Sequence, residues 1–169
     1  MQIIMPIYSF EPIVDDRCKI LILGTMPGVM SLKKQQYYGN DQNAFWRIMF
    51  ALFDQKPDED YERRKQILLE HRIAVWDVLM ACEREGSSDS DIKNPVHNDF
   101  TALYKRYTKL SNVCFNGGPA ERLYNRFVEK TKECGEVRSF YSLPSTSPAY
   151  TIGFEKKLEQ WRQLLRLVK

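Results

Sequence analysis

The sequence predicts an α/β fold with a mostly parallel sheet covered on both faces by helices, and three observations lead there. Short apolar runs such as "KILILG" and "NVCFNGG" stop at glycine, as buried parallel strands do. Each run is followed by apolar residues at helical spacing, so strands and helices alternate. The length, 169 residues, is that of a single domain spanning 1–169, enough to hide roughly 70% of the unfolded chain's surface.

Taken in order, Lys19 to Gly24 is the first strand expected. Phe45, Ile48, Met49, Leu52 and Phe53 follow i, i+3, i+4, i+7, i+8, so a helix is expected from near Asn43 to before Pro57. A charged helix is expected over Asp58 to His71, with Asp58 as its N-cap. "IAVWDVL" reads as a second buried strand and "EREGSSDSDIKNPVHND" as an irregular polar insertion. "NVCFNGG" is the next strand, and Ala120, Leu123, Tyr124, Phe127 and Val128 form the stripe of the helix after it, with Pro119 in its first turn. "VRSFYSLPSTSPAYT" reads as a strand running into a stiff, hydroxyl-rich loop. Phe154, Leu158, Trp161, Leu165 and Val168 form the apolar stripe of a terminal helix whose other face carries Lys156, Lys157, Arg162, Arg166 and Lys169.

Composition narrows the function classes. Hydrophobic content of 43% and charged content of 28% are ordinary for a soluble protein, and no apolar run is long enough to span a bilayer. The N-terminal stretch "MQIIMPIYSFEPIV" lacks a basic segment and a small-residue cleavage site, so a cytoplasmic protein is expected. Cys18, Cys82, Cys114 and Cys134 show no metal-ligand spacing and read as buried reduced thiols, and neither a metal nor another cofactor is expected. His71 and His97 stand alone, outside any catalytic context. A net charge of +3 permits a polyanionic partner without demanding one.

In a doubly wound sheet ligands bind at the carboxyl ends of the strands, where the loops after Gly24, Asn116 and Leu143 meet. The first loop, "LGTMPGVMSLKKQQYYGNDQNAFW", is long, polar and aromatic, which marks it as functional. "FNGGP" can be a capped strand end and "LPSTSPA" a solvent loop. Yet Pro-Ser-Thr-Ser-Pro also offers three hydroxyls on a stiff backbone, the residue types that bind phosphate oxygens without added charge.

"LGTMPG…SLKKQQYY…NAFW", "VCFNGG" and "LPSTSPAYT", in this order and spacing, resemble the uracil-DNA glycosylase superfamily, and within it the hypoxanthine-DNA (deoxyinosine) glycosylase branch. The resemblance runs from about Ile20 to Tyr150 and implies a three-layer α/β/α sandwich around the parallel sheet. It implies a monofunctional enzyme of base excision repair that flips a deaminated nucleotide out of damaged DNA and hydrolyses its glycosidic bond, working as a monomer. Asn43 matches the branch's catalytic asparagine, Phe45 the aromatic that stacks on the extruded base, and Asn116 the residue that bonds the base's edge. Tyr38, Thr25 and Met26 fall around the base, and Ser145, Thr146, Ser147, Gly28 and Ser31 beside the DNA backbone. Met26 stands where other branches place an Asp or Asn that acts on water, and Leu143 where the uracil-specific branch has histidine. Both departures argue against strong uracil excision.

The residue types suit that chemistry. Breaking an N-glycosidic bond builds an oxocarbenium-like sugar and an anionic base, which needs donors for the base and an oriented water for C1′. Asn43 at a helix start can aim an amide oxygen at water, although capping that helix is the competing role. Should Asn43 only cap, the acids around the polar insertion, Asp77, Asp89 and Asp91, are the next candidates. Three alternatives stay open: a mismatch-specific uracil/thymine glycosylase, a small-molecule enzyme using Ser145 or Ser147, and a non-catalytic nucleic-acid or nucleotide binder using the basic terminal helix. The small-molecule enzyme lacks a His-Asp partnership and a nucleophile elbow.

If hydroxyls and amides hold the DNA while few cations touch phosphate, log K falls with log salt by only about 0.9 for each contact. A binding titration over a salt series checks this. A slope near −10, as for a heavily basic repressor, would place the grip on the terminal helix instead.

Overall fold

The computed structural model describes residues 3–128 and 138–169, so Cys134 lies outside the described residues. Four parallel strands form the central sheet: β2 (Ile20–Gly24), β3 (Ile73–Asp77), β6 (Asn112–Asn116) and β7 (Ser139–Leu143). Their order is β3-β2-β6-β7, with Ile20 beside both Ile73 and Asn112, and Asn116 beside Leu143. Every residue of β2 and β3 is buried, which is why these strands read as continuous apolar runs.

This order dictates the layers. The chain crosses from β2 to β3 in one direction and from β3 to β6 and β7 in the other. Right-handed crossovers then put α1 (Val29–Lys34), α2 (Phe45–Leu52) and α3 (Tyr61–Glu70) on one face, and α4 (Phe100–Arg106) and α5 (Gly118–Phe127) on the opposite one. The chain is thus an α/β/α sandwich. The carboxyl ends of β2 and β6, where the winding reverses, are the crevice in which such sheets bind ligands.

A second sheet was not foreseen. β1 (Pro6–Tyr8), β4 (Leu79–Glu83) and β5 (Lys93–His97) pair antiparallel in the order β1-β4-β5. Only Val78 separates β3 from β4, so the run "IAVWDVL" turns from one sheet into the other. Part of the polar insertion is therefore strand, with a 3-10 turn at Asp89–Asp91 before it. The burial pattern of β5 shows no buried residue, so apolar periodicity had nothing to report there.

Helix boundaries differ from expectation where side chains cap. The N-cap of α3 is Asp60, whose carboxylate accepts the Glu62 N–H at 3.0 Å, while Asp58 lies two residues earlier and accepts the Asp60 N–H. The long first loop contains α1. The terminal stripe is two helices, α6 (Phe154–Trp161) and α7 (Leu164–Leu167).

One of the terminal basic residues points inward. Lys157 is 4% exposed and donates from Nζ to the Ser147 carbonyl at 2.8 Å. Fully buried Trp161 donates from Nε1 to the Pro144 carbonyl at 2.9 Å and meets Phe45 of α2 edge-on at 6.1 Å. α6 thus braces the Pro144–Ser147 loop against α2. Trp161→Ala is expected to cost about 3–5 kcal/mol in urea unfolding, and exposed Arg166→Ala less than about 0.5 kcal/mol.

Candidate active site

A cleft of about 850 Å³ opens at the switch point of the sheet. The turn after β2 forms one side of it, the Asn116–Pro119 turn and the Leu143–Tyr150 loop another, and Tyr38, Asn43 and Ser87–Ser90 complete it. Gly24 is required at the end of β2. A Cβ there would meet Asp77 Oδ1 at 2.7 Å and the Tyr38 hydroxyl at 3.2 Å. Gly117 has φ of +95°, and a Cβ on it would sit 3.1 Å from that of Ser145. The Gly-Gly turn therefore brings β6 and the hydroxyl-rich loop into contact.

Asn116 and Thr146 are joined reciprocally. The Asn116 amide donates to Thr146 Oγ1 at 3.0 Å and accepts the Thr146 backbone N–H at 2.9 Å. Thr146 is 1% exposed, and its carbonyl accepts the Ala44 N–H at 3.0 Å where α2 begins. Thr146 is thus a positioning residue, too deep for the phosphate contact first expected of it. Ser145 and Ser147 are half-buried on the cleft. Their hydroxyl oxygens accept the Ser147 and Ala149 N–H groups, which leaves each O–H free to donate to an anionic oxygen.

Asn43 is half-buried and lines the cleft. Its Oδ1 accepts the Phe45 N–H at 3.0 Å from one residue before the Ala44 N-cap, so it satisfies a donor of the first turn of α2. One lone pair on Oδ1 and the whole amide nitrogen remain for a ligand or water.

Of the two aromatics expected around the base, Tyr38 alone lines the cleft. Phe45 is fully buried and absent from the cleft wall; the Tyr38 ring lies on it, centroids 4.0 Å apart and 25° from parallel. Tyr38 lines the cleft and adopts φ of +52°, a conformation costly for a bulky residue. Its neighbours enforce it. The Tyr37 carbonyl accepts Trp46 Nε1 at 2.8 Å, and the Gly39 N–H donates to Ser31 Oγ at 2.9 Å. Ser31, 7% exposed, therefore holds this loop from within and is not placed as a backbone contact. Thr25 and Met26 line the cleft, 6% and 7% exposed, and half-buried Gly28 lies at its edge.

Sequence reasoning held the acidic wall, Asp77 and Asp89, only as the next candidates after Asn43. Asp77, the last residue of β3, is 4% exposed, and its Oδ2 has no hydrogen-bond partner. Burial, reinforced by the Asp89 charge and opposed by Arg84, pushes its carboxyl up to about 7. Arg84 is buried beside it, donating to the Pro27 carbonyl at 2.7 Å and pairing with Asp89 at 3.3 Å. The signal was present as a carboxylate inside the apolar run "IAVWDVL". The histidines are structural: His71 stacks on Phe53 at 3.6 Å, and His97 on Phe127 at 5.7 Å. Cys18, Cys82 and Cys114 are buried free thiols, and among the described residues no group of three His, Cys, Asp or Glu side chains could hold a metal.

With these motifs gathered at one cleft, comparison with known proteins decides the family. The family model of the Uracil DNA glycosylase superfamily matches residues 11–168. The chain belongs to that superfamily. It is similar to a hypoxanthine DNA glycosylase of Methanosarcina acetivorans, 37% identical over 94% of this chain and 97% of the relative. It also resembles a hypoxanthine DNA glycosylase of Methanosarcina barkeri, 38% identical over 64% of this chain and 70% of that one. A solution NMR structure of a candidate uracil DNA glycosylase from Methanosarcina acetivorans superposes with a TM-score of 0.81 at 34% identity, covering 97% of this chain and 99% of that one. This glycosylase-family fold brings Asn43, Asn116 and the Ser145–Ser147 loop together across more than a hundred residues of sequence.

Thr146→Val would strand the buried Asn116 donor and is expected to destabilise the fold by about 1–3 kcal/mol in urea unfolding. Ser147→Ala, which removes only an exposed acceptor, is expected to stay within about 0.5 kcal/mol.

Proposed function

We propose that this chain is a monofunctional DNA glycosylase that excises hypoxanthine from deoxyinosine in damaged DNA and leaves an abasic site. The observation that carries this reading is the convergence of Asn43, Tyr38, Asn116 and two half-buried serines on one cleft at the sheet's switch point. The names of the Methanosarcina relatives support the choice of base. In this reading the protein works as a cytoplasmic monomer, without metal or other cofactor.

Each residue then has a task. The flipped base enters the cleft and stacks on Tyr38, whose ring is backed by Phe45. The Asn116 amide keeps one N–H and one lone pair beyond its bonds to Thr146, a pattern able to pair with an edge that presents both an acceptor and a donor. Thr25 and Met26 close the pocket around the base. Ser145, Ser147 and the Gly28 backbone approach the phosphates beside the flipped nucleotide. Asn43 orients the water that attacks C1′ once the glycosidic bond has lengthened.

The test is incubation with end-labelled duplexes carrying deoxyinosine, deoxyuridine or deoxyxanthosine, followed by alkaline cleavage of abasic sites. Strand scission at deoxyinosine supports the reading; scission confined to deoxyuridine in mismatches would move the protein to the mismatch-specific branch. Asn43→Ser keeps a cap, so stability should change by less than about 1 kcal/mol while the single-turnover rate falls by about 10²- to 10⁴-fold. Asn43→Asp is expected to retain more activity than Asn43→Ser, and Met26→Ala to slow the reaction far less. Asn116→Ala should cost about 1–3 kcal/mol of transition-state stabilisation, measured as a single-turnover rate ratio.

A further inference from the structure

Excision of a purine leaves a bonding electron pair on the departing base, and among the described residues the cleft offers few groups able to neutralise it. Its lining contains no lysine, arginine or histidine; the ionisable side chains on it are Asp77, Asp89, the exposed Tyr150, and the two tyrosines of the loop before α2, Tyr37 and Tyr38. Leu143 at the end of β7 is apolar and buried. Burial and the neighbouring acid push both tyrosines above their ordinary range, so their protons are held tightly. Asp89 is engaged with Arg84. Asp77 Oδ2 and the Tyr38 hydroxyl are both buried without a hydrogen-bond partner on residues of the cleft wall, and of the two a carboxyl gives up its proton far more readily than a phenol. Asp77 Oδ1 and the Tyr38 hydroxyl both converge on Gly24, which sets the carboxyl beside the ring proposed to carry the base.

We propose that Asp77 is a catalytic residue that enters the reaction as the neutral acid and delivers its proton to a ring nitrogen of the departing purine. The proposal rests on the glycosylase reading above. As the bond from C1′ to the base breaks, its electron pair passes to the purine, and the Asp77 O–H bond breaks to place a proton on the ring. The base leaves neutral and Asp77 becomes a carboxylate. Water forms the new bond to C1′ and yields its proton to solvent, and Asp77 regains one from solvent, so that one water is consumed in each turnover.

A carboxyl near pH 7 is suited to this task, because at neutral pH it is partly protonated and still acidic enough to give the proton up. Burial raises it most, Asp89 adds to that and Arg84 favours the charged form; the other titratable groups that face it are the Tyr37 and Tyr38 hydroxyls of the loop before α2, which its charge in turn pushes up. The sign follows: the active form is the protonated one, so the rate should be full below about pH 7 and fall as pH rises through it.

The experiment is single-turnover excision of deoxyinosine between pH 5.5 and 9 (about the stable range of most domains), with the parent chain, Asp77→Asn and Asp89→Asn. The parent should lose activity through a limb near pH 7. Asp77→Asn should be slower by about 10²-fold or more at pH 6.5 (roughly the operating point of the acid) and show no such limb. Asp89→Asn should keep the limb but move it to lower pH, because a charge that opposes ionisation of Asp77 has gone. A parent rate that stays flat or rises across this range overturns the proposal without any variant. So does a limb that survives in Asp77→Asn, or one abolished only by Asp89→Asn. If the parent excises no deoxyinosine at all, the glycosylase reading itself has failed, which distinguishes the two.

Discussion

The reciprocal pair between Asn116 and Thr146 is the constraint on which the cleft depends. It fastens the end of β6 to the middle of the Pro144–Ser147 loop with two buried hydrogen bonds, and the Thr146 carbonyl then accepts the first N–H of the turn into α2. Each bond adds only about 1 kcal/mol net, but in a buried site the loss of one partner leaves the other unsatisfied at greater cost. Three segments distant in sequence are therefore held as one unit. Asn43, the serine hydroxyls and the Asn116 amide are fixed relative to one another on the cleft, the kind of preorganisation that catalysis by positioning requires.

Around this pair the cleft divides into walls of different character. Tyr38 on Phe45 makes an aromatic floor, apolar and backed by Trp161, on which any base can stack. Beside it is the Asp77 carboxyl, with buried Arg84 near it, paired to the exposed Asp89. The outer rim presents serine hydroxyls and backbone, not cations. Lys157, the cation nearest the rim loop, spends its charge on the Ser147 carbonyl beneath that loop. Such a rim, on a chain of net charge +3, offers hydrogen-bond donors to an anion without the strong, salt-sensitive attraction of a cationic surface.

The same placement explains why the site can be both stable and costly. Tyr38 has left-handed backbone geometry, and Asp77 holds a carboxyl where water cannot solvate it. Neither feature helps the fold, and both face the cleft. They are offset elsewhere, by the fully buried strands β2 and β3 and by the aromatic packing of Phe100, Phe115 and Tyr124 between α4, α5 and the sheet. Local strain that the surrounding core over-determines is a common mark of a working site.

By itself the sequence determined the four parallel strands, the main helices and the three loops that carry the site, because burial on both faces and helical periodicity are written directly in residue order. The motifs placed Asn43, Asn116 and the two serines at the cleft because Asn116 ends a strand, Asn43 leads into a helix and the serines lie in the loop that leaves β7. Only the tertiary structure decided which aromatic lines the cleft, since both Phe45 and Tyr38 lie near the motif in sequence and only their stacking shows which one is outermost. It also turned Lys157 inward, took Thr146 and Ser31 into the interior, and formed a second sheet whose exposed strand β5 has no apolar signature. Asp77 is the clearest case. An acid at the end of an apolar strand can be a solvated stop or a buried reagent, and the choice is made by the contacts of β2, the Tyr38 loop and the Asp89 turn, none of which is its neighbour in the chain.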